Sequence, residues 1–129
     1  MNRRGFTLIE LILVIAILGI LAISALPKFL DLSTEAEKSA RDGVVGAVRA
    51  GIALYRANDM VTNGGTGSYP ATLDGEANAA CTNCFRTILS NGIGDASWTR
   101  VDDTHYSFND GTTTYSYLYD PVNGTLALQ

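Results

Sequence analysis

The fold of this chain is set by residues 3–23, which read RRGFTLIELILVIAILGILAI. The stretch from Leu11 to Ile23 contains only apolar residues and Gly, and the longer stretch from Phe6 to Leu26 contains one charged residue, Glu10. At about 1.5 Å per residue, a helix over the longer stretch is roughly 30 Å long, which matches the apolar thickness of a bilayer. Because a carboxylate at that depth is costly, we expect Glu10 to have a partner of opposite charge.

The apolar stretch is predicted to be retained as a membrane anchor rather than removed as a secretory signal. A secretory signal ends in a small-residue cleavage site, and residues 24–27, which read SALP, match such a site poorly. Arg3 and Arg4 precede the anchor, and the positive-inside rule places that end in the cytoplasm. The rest of the chain is therefore expected on the opposite side of the membrane.

Length and charge limit the remaining possibilities. The chain has 129 residues, enough for one modest domain, and about 100 of them remain once the anchor is set aside. The formal charge is −4, and it becomes −6 if Arg3 and Arg4 leave with a leader peptide. No basic patch then remains to neutralise phosphates, which argues against nucleic acid as a partner.

A second, amphipathic helical segment is predicted to follow the anchor. Apolar or small residues recur there at spacings of three and four, and the pattern stops at residues 63–65, which read NGG. One helix of about 55 residues is therefore predicted to end between Asn58 and Asn63. We expect its small residues to let a sheet approach closely. The predicted stripe consists of Leu32, Ala36, Ala40, Val44, Ala47 or Val48, Gly51 and Tyr55, with Gly43 and Gly46 among its small residues.

The last third of the chain alternates between polar and apolar residues, as β-strands do. Four such segments separated by three turns predict an antiparallel meander, and with the long helix they predict an α+β fold. Tyr115, Tyr117 and Tyr119 share one face of the third strand, where we expect them to pack rather than to form a ligand platform. The predicted strands are 97–101, 105–108, 112–119 and 125–128, and a short helix is predicted at Phe85–Leu89.

Two residues are predicted to weaken the anchor helix. Pro27 has no N–H group, and its ring clashes with the carbonyl group four residues earlier, so we expect a kink or loosening between Ile23 and Pro27. Gly19 lowers the helical propensity of the same segment. The alternative is the ordinary tolerance of Pro in a membrane helix.

Residues 5–10, which read GFTLIE, resemble the class III signal of the type IV pilins and pseudopilins, together with Arg3-Arg4 before them and the apolar stretch after them. Residues 27–32, PKFLDL, look like those of mannose-sensitive haemagglutinin-type pilins. The resemblance implies that a membrane prepilin peptidase cuts between Gly5 and Phe6. It also implies that the new amino group of Phe6 is methylated.

The same resemblance implies a partner for Glu10. The amine of Phe6 in one subunit would meet Glu10 of the next, which would fix the axial stagger of copies in a helical filament. Pairing within one chain, four residues apart on the helix, is the alternative. Related filaments also lose helical bonding between Gly19 and Pro27 when their subunits pack. The implied partners are further copies of the chain, the prepilin peptidase and an inner-membrane assembly platform.

Cys81 and Cys84 form a C-x-x-C motif in a compartment that permits disulfides. We expect a disulfide that braces the segment between helix and sheet. A structural zinc site needs four ligands, and the chain has only one His, His105. Thioredoxin-type exchange is disfavoured as well, because the motif is not preceded by the buried strand of a βαβ unit.

No catalytic residues, cofactor or metal are expected, with one exception. Three aspartates could hold Ca²⁺ if the turns that carry them lie together. His105 with Asp103 and Ser107 resembles a catalytic triad in composition, but neighbouring strand positions point to different faces. We therefore expect solvated turn residues there. The candidate calcium ligands are Asp102, Asp103 and Asp110.

The sequence thus predicts a structural subunit, not an enzyme, which polymerises through its apolar helix into a type IV pilus-like filament for adhesion, motility or surface attachment. It would lie in the inner membrane before assembly and in an extracellular or periplasm-spanning filament afterwards. The alternatives are a major pseudopilin of type II secretion and a membrane-anchored periplasmic C-x-x-C redox or binding domain that acts alone. The predicted parts are a leader at 1–5, a transmembrane and filament-core helix at 6–30, and a head at 31–129 made of an amphipathic helix at 31–60, a loop at 61–95 and a sheet at 96–129.

Overall fold

The computed structural model describes residues 4–129. Within that range, one long helix is followed by four strands, which confirms the predicted α+β class. The chain forms two compact units, one that ends at Ala36 and one that comprises Glu37–Gln129, which we call the head. The elements are α1 (Leu8–Asn63), β1 (Trp98–Arg100), β2 (His105–Asn109), β3 (Thr114–Asp120) and β4 (Thr125–Leu128).

Helix α1 has 56 residues and ends at Asn63, at the limit of the predicted range. The next residue, Gly64, has a φ of 74°, and its N–H donates to the carbonyl group of Met60 at 3.1 Å. A left-handed glycine in this position satisfies one of the free carbonyl groups at the end of a helix. The Asn-Gly sequence therefore stops the helix by a local mechanism that is visible in the sequence.

The predicted kink or loosening between Ile23 and Pro27 is not found as an interruption of α1, which continues through Gly19 and Pro27. Pro27 removes one backbone donor, but helical bonds before and after it hold the segment because helix formation is cooperative. Ser24 Oγ also donates to the carbonyl oxygen of Ile20 at 3.0 Å. A loss of helical bonding in this interval therefore stays a prediction for the assembled state alone.

The head buries a short face of α1. Val45, Val48 and Ile52 are buried at helical spacing, together with Gly51. The predicted stripe had the correct period but included exposed residues such as Leu32, because the head covers only part of the helix. The buried apolar residues that complete the core are Leu73, Cys81, Cys84, Phe85, Trp98, Tyr106, Phe108, Tyr117, Tyr119 and Leu126.

Gly51 lets a loop, rather than the predicted sheet, approach α1. A Cβ atom built on Gly51 would lie 3.0 Å from the carbonyl oxygen of Ile88 and 3.1 Å from its Cβ. Gly43 and Gly46 would meet nothing within 4 Å. Of the three glycines, only Gly51 is therefore required for close packing.

Replacing Gly51 by Leu is expected to destabilise the head by about 1–3 kcal/mol, because the new side chain overlaps Ile88 in a packed interior. Urea denaturation followed by tryptophan fluorescence measures the change, since Trp98 is the only Trp and is fully buried. Gly46→Leu is the matched control at an open position of the same helix. Equal stability of the two variants would contradict the packing role of Gly51.

The four strands form one antiparallel sheet in the order β1-β2-β3-β4, which confirms the predicted meander. Trp98 lies opposite Phe108, and Tyr106 lies opposite Tyr117, so aromatic rings face each other across neighbouring strands. Tyr117 and Tyr119 are buried, as expected for side chains that pack in the core. Cross-strand aromatic pairs of this kind stabilise a sheet.

The predicted short helix at Phe85–Leu89 is wrong, because the structure has turns there. Phe85 has a φ of 63°, in the left-handed region that a helix does not use. Its ring is fully buried, with ring centroids 4.5 Å from Tyr106 and 5.7 Å from Trp98. Burial of this ring against two distant residues accounts for a backbone conformation that local propensity does not favour.

Candidate assembly site

The predicted processing residues lie at the exposed start of α1. A surface depression of about 170 Å³ is lined by Arg4, Gly5, Phe6 and Glu10. The Phe6 side chain is 93% exposed and packs in no core. The structure thus brings Gly5, Phe6 and Glu10 together, and it leaves the Gly5–Phe6 peptide bond on an accessible segment before the helix.

Glu10 is held by a residue that the sequence analysis missed. Its Oε2 accepts hydrogen bonds from the backbone N–H of Thr7 at 2.8 Å and from the Thr7 hydroxyl at 2.9 Å. The Thr7 hydroxyl also lies 3.4 Å from the backbone nitrogen of Glu10, at the limit of a weak hydrogen bond. This is a capping box, whose sequence signature is Ser or Thr followed three residues later by Glu or Gln. Thr7 and Glu10 have this spacing and directly precede the apolar stretch, so the sequence already contained the signature.

The first half of α1 presents an apolar surface. Exposed large apolar side chains extend from Phe6 to Leu32, and each is at least half exposed. By length and composition, α1 is the one helix within residues 4–129 that is able to cross a membrane, with a mean hydropathy of 2.8 over its most apolar window. A contiguous apolar surface of this size marks a site of membrane or protein contact.

The predicted disulfide between Cys81 and Cys84 is present. Both residues are buried, with 4% and 1% of their surface exposed. The N–H of Cys81 donates to the carbonyl group of Trp98 at 2.8 Å, which ties this loop to β1. Thiol–disulfide exchange requires access of an attacking thiolate to a sulfur atom. The burial of this disulfide therefore fits a brace better than a redox centre.

The triad-like group of His105, Asp103 and Ser107 does not assemble. His105 Nδ1 lies 2.9 Å from Asp102 Oδ1, while the carboxylate of Asp103 pairs with Arg100. Ser107 is paired with Thr99 in the β1–β2 register. Asp103 in the turn before β2 and His105 at its first position are partly exposed, in agreement with the expected solvated turn residues, whereas Ser107 lies within the inner strand β2.

The three predicted calcium ligands lie in two different turns. Asp102 and Asp103 are in the turn before β2, and Asp110 follows β2, so the strand separates them. Within residues 4–129, no three His, Cys, Asp or Glu side chains are grouped to hold a metal ion. The backbone N–H groups of Thr113 and Thr112 stabilise the Asp110 carboxylate and lower its pKa. Binding of Ca²⁺ to this chain stays a prediction from the sequence.

A buried ion pair holds the loop and the sheet of the head together. Asp74 is 1% exposed, and its Oδ1 lies 2.7 Å from Arg100 Nε, a close ion pair without the angle of a hydrogen bond. Asp74 Oδ2 accepts hydrogen bonds from the Tyr106 hydroxyl at 2.9 Å and the Phe85 N–H at 3.0 Å. Burial, followed by the nearby Asp74 charge, raises the pKa of Tyr106 well above its usual value. The sequence analysis missed this network, because its members are far apart in the chain.

Tyr119 forms a second buried polar contact on the same side of the sheet. Its hydroxyl donates to the carbonyl oxygen of Pro70 at 2.6 Å. Burial raises the pKa of Tyr119 to about 12. The phenol therefore stays protonated as a donor at neutral pH, and it fixes the segment that follows the glycine-rich loop against β3.

Known proteins share the N-terminal motif and are similar in sequence over most of the chain. Residues 1–26 match the family model of the prokaryotic N-terminal methylation motif. The type IV narrow pilus major component PilA5 of Thermus thermophilus is 31% identical over 129 residues, which cover 99% of this chain and 97% of that protein. Fimbrial protein EcpC of Eikenella corrodens is 29% identical, over 88% of this chain and 80% of that protein.

The type II secretion system core protein G of Pseudomonas aeruginosa is 33% identical over 78 residues, which cover 58% of this chain and 50% of that protein. No solved structure matches the chain. The long helix, its exposed apolar surface and these relatives together define a structural subunit of multi-copy filaments. The chain belongs to the type IV pilin family, the class of filament-forming pilus subunits.

Proposed function

We propose that this chain is made as a precursor and that a prepilin peptidase cuts it between Gly5 and Phe6 and then methylates the amine of Phe6. The matched methylation motif spans this bond, and the bond precedes the helix on an exposed segment. Cleavage removes the basic leader and retains the apolar half of α1. Phe6 then carries a cationic amine four residues before Glu10.

Assembly in this proposal joins the Phe6 amine of one subunit to Glu10 of the next. The observation that supports it best is the position of Glu10, the only acidic residue between Phe6 and Leu30, on an apolar surface that is otherwise suited to lipid or to further copies. An acidic residue at the centre of a membrane helix costs about 2.5–3.5 kcal/mol on insertion scales. Opposite charges 4 Å apart attract by roughly 4 kcal/mol at an effective dielectric constant near 20. The two energies are similar in size, so pairing in an array offsets the penalty.

Thr7 has a defined role before assembly. Its two hydrogen bonds occupy Glu10 Oε2 in the single chain, so the carboxylate is already partnered while the subunit waits in the membrane. Neutral donors stabilise a carboxylate less than a cation does. The Glu10 carboxylate therefore gains free energy when the amine of a neighbouring subunit replaces Thr7 as its partner. The capping contact stabilises Glu10 only until the subunit is assembled.

We further propose that α1 loses helical bonding between Gly19 and Pro27 when subunits pack. The segment combines a residue without a backbone donor with one of low helical propensity. Packing of neighbouring helices then replaces the local bonds. The interval acts as a site of extension in the filament and not as a kink in the single chain.

The proposed path of the chain begins in the inner membrane, where an assembly platform receives the processed subunit. It ends in a filament outside that membrane, used for adhesion, motility or surface attachment. The relationship to a secretion core protein favours a second candidate, a pseudopilin that forms a short filament in type II secretion. Filament length on intact cells separates these two candidates.

The processing step is tested by the intact mass of subunits from sheared surface filaments viewed by electron microscopy. We expect a chain that starts at Phe6 and carries one additional methyl group. Gly5→Leu is expected to retain Met1 and to yield no filaments, because the bulky side chain blocks the cut. Gly43→Leu is the matched control, since a Cβ atom at Gly43 meets nothing within 4 Å and Gly43 lies outside the segment proposed to rearrange on assembly. Wild-type filaments whose subunits still begin with Met1 would contradict the proposal.

A further inference from the structure

A small cavity of the head lies beside α1, away from the apolar segment. Its volume is about 260 Å³, below the 300–1,000 Å³ of typical small-molecule sites. It therefore has room for one or two side chains. Arg49 and Arg56 flank it along the helix, and the residues between and opposite them include Ile52, Ala53, Met60 and Tyr69.

The two arginines are held in place by neutral acceptors. Arg49 donates from Nε and Nη2 to the carbonyl oxygen of Leu126, at 3.1 and 2.9 Å. Arg56 donates from Nε to the carbonyl oxygen of Thr66 at 3.1 Å and from Nη1 to the Tyr69 hydroxyl at 2.7 Å. The Arg56 guanidinium also lies 4.9 Å from the centroid of the Tyr69 ring. Both cations are thus fixed in position, and some of their N–H groups remain available.

Neither arginine has an acidic partner within residues 4–129. Elsewhere in the described chain, ion pairs are formed by Arg41, Arg100 and His105. Two fixed positive charges beside an apolar wall are a site for a carboxylate that carries apolar neighbours, because guanidinium groups bind carboxylates strongly and specifically. The net charge of the chain is −4, so the chain itself supplies acidic groups to such a site.

Asp31 has the chemistry that this cavity fits. It is exposed, makes no ion pair among the described residues, and lies between Leu30 and Leu32, which are 64% and 65% exposed. It directly follows the apolar segment through which copies are proposed to pack.

Asp31 precedes Arg49 by 18 residues and Arg56 by 25, so it lies level with the cavity of a copy displaced by about 27–38 Å along the helix axis. The Phe6–Glu10 pair displaces copies by only about 6 Å, so the two contacts join different pairs of neighbours in the filament.

We propose that Asp31 of a second copy of this chain enters the cavity between Arg49 and Arg56, while Leu30 and Leu32 lie on either side of the contact. This inference rests on the proposed function, because it requires a filament of staggered copies. Charge complementarity at this contact adds register specificity to that of the Phe6–Glu10 pair, since the remaining lateral contacts are apolar and weakly directional. The contact therefore selects one stagger among several that apolar helices alone permit.

Charge reversal tests the contact. Asp31→Arg and Arg49→Glu are each expected to lower the yield of sheared filaments about tenfold, because each variant places like charges in contact. The double variant Asp31→Arg with Arg49→Glu is expected to recover part of the lost yield, because Arg56 still repels the new arginine. Asp42→Arg is the matched control, because Asp42 is an exposed aspartate of the same helix. Adding Arg49→Glu to Asp42→Arg is not expected to raise the filament yield.

A second pair of variants keeps every charge. Leu32→Cys with Ala53→Cys is expected to give a series of disulfide-linked oligomers in oxidised filaments, because one residue neighbours Asp31, the other lines the cavity, and each copy carries both. Leu32→Cys with Val101→Cys, an exposed residue outside the cavity, is expected to give monomers. This measurement is independent of how well Arg49→Glu folds.

Each outcome bears on a different statement. A wild-type chain that forms no filaments would contradict the proposed function and remove the basis of this inference. Wild-type filaments with an unchanged yield from Asp31→Arg, or with no cross-link from Leu32→Cys and Ala53→Cys, overturn the inference alone. The inference is also overturned if wild-type filaments form normally but the double variant yields no more filaments than the single variants do. If Arg49→Glu forms filaments in normal yield but no longer binds inorganic phosphate, the cavity holds a free anion and the inference is overturned.

Discussion

Glu10→Gln is expected to insert into the membrane and to be cut after Gly5, yet to form about 100-fold fewer filaments than the wild type. The amide keeps the acceptor that Thr7 uses but removes the negative charge that a neighbouring Phe6 amine requires. A 100-fold loss corresponds to roughly 2.7 kcal/mol per contact, which lies within the range for truncating one partner of a desolvated charge pair. Quantitative microscopy of sheared material measures the number of filaments. Immunoblots of the membrane fraction measure insertion and cleavage of the subunit.

Thr7→Val is the matched control for that experiment. Valine has nearly the same shape as threonine and removes the hydroxyl donor to Glu10, while the backbone N–H of residue 7 and the charge of Glu10 remain. We expect filaments from Thr7→Val in near-normal amounts. If both variants lose filaments equally, the main role of Glu10 is to cap the helix, and the pairing role is wrong.

Asp74→Ala is expected to destabilise the head by about 3–5 kcal/mol, the usual cost of removing one partner of a buried ion pair. Arg100 is 6% exposed and would remain charged without its buried partner, and the Tyr106 hydroxyl would lose its acceptor. Since small domains have a total free energy of unfolding of about 5–15 kcal/mol, much of the head would unfold near physiological temperature. Thermal unfolding of the full chain in detergent, followed by near-UV circular dichroism, measures the loss.

Asp103→Ala is the control for the buried pair, because Asp103 contacts the same arginine from the surface with 75% of its side chain exposed. Exposed ion pairs contribute about 0–1 kcal/mol, so its melting temperature should stay close to that of the wild type. Similar destabilisation by both variants would show that burial does not decide the strength of these contacts.

Motifs whose physical cause is local were predictable from sequence. Gly64 ends α1 through its own left-handed backbone, and alternation places Tyr117 and Tyr119 on one buried face of β3. The candidate assembly residues, Gly5, Phe6 and Glu10, lie within six residues of each other, so their proximity also followed from the chain. Thr7 was missed although its spacing to Glu10 carried the signal of a capping box.

Other features depended on contacts between distant parts of the chain. Phe85 adopts a left-handed backbone because its ring packs on Trp98 and Tyr106, and no local pattern indicates this. The hydrogen bond from Tyr106 to Asp74 joins residues separated by 32 positions. Periodicity gave the spacing of the buried helix face but not its limits, since the head decides which turns are covered.

The amino-acid sequence alone determined the long helix, its apolar half with a single acidic residue, the four strands and the disulfide pair, because periodicity, turn residues and close spacing act over a few residues. Only the tertiary structure decided that Val45 and Ile52 face the core, that Gly51 meets Ile88, that Asp74 pairs with Arg100, and that Arg49 and Arg56 flank one cavity. The physical reason is that burial and charge pairing depend on which surfaces meet after the chain has folded.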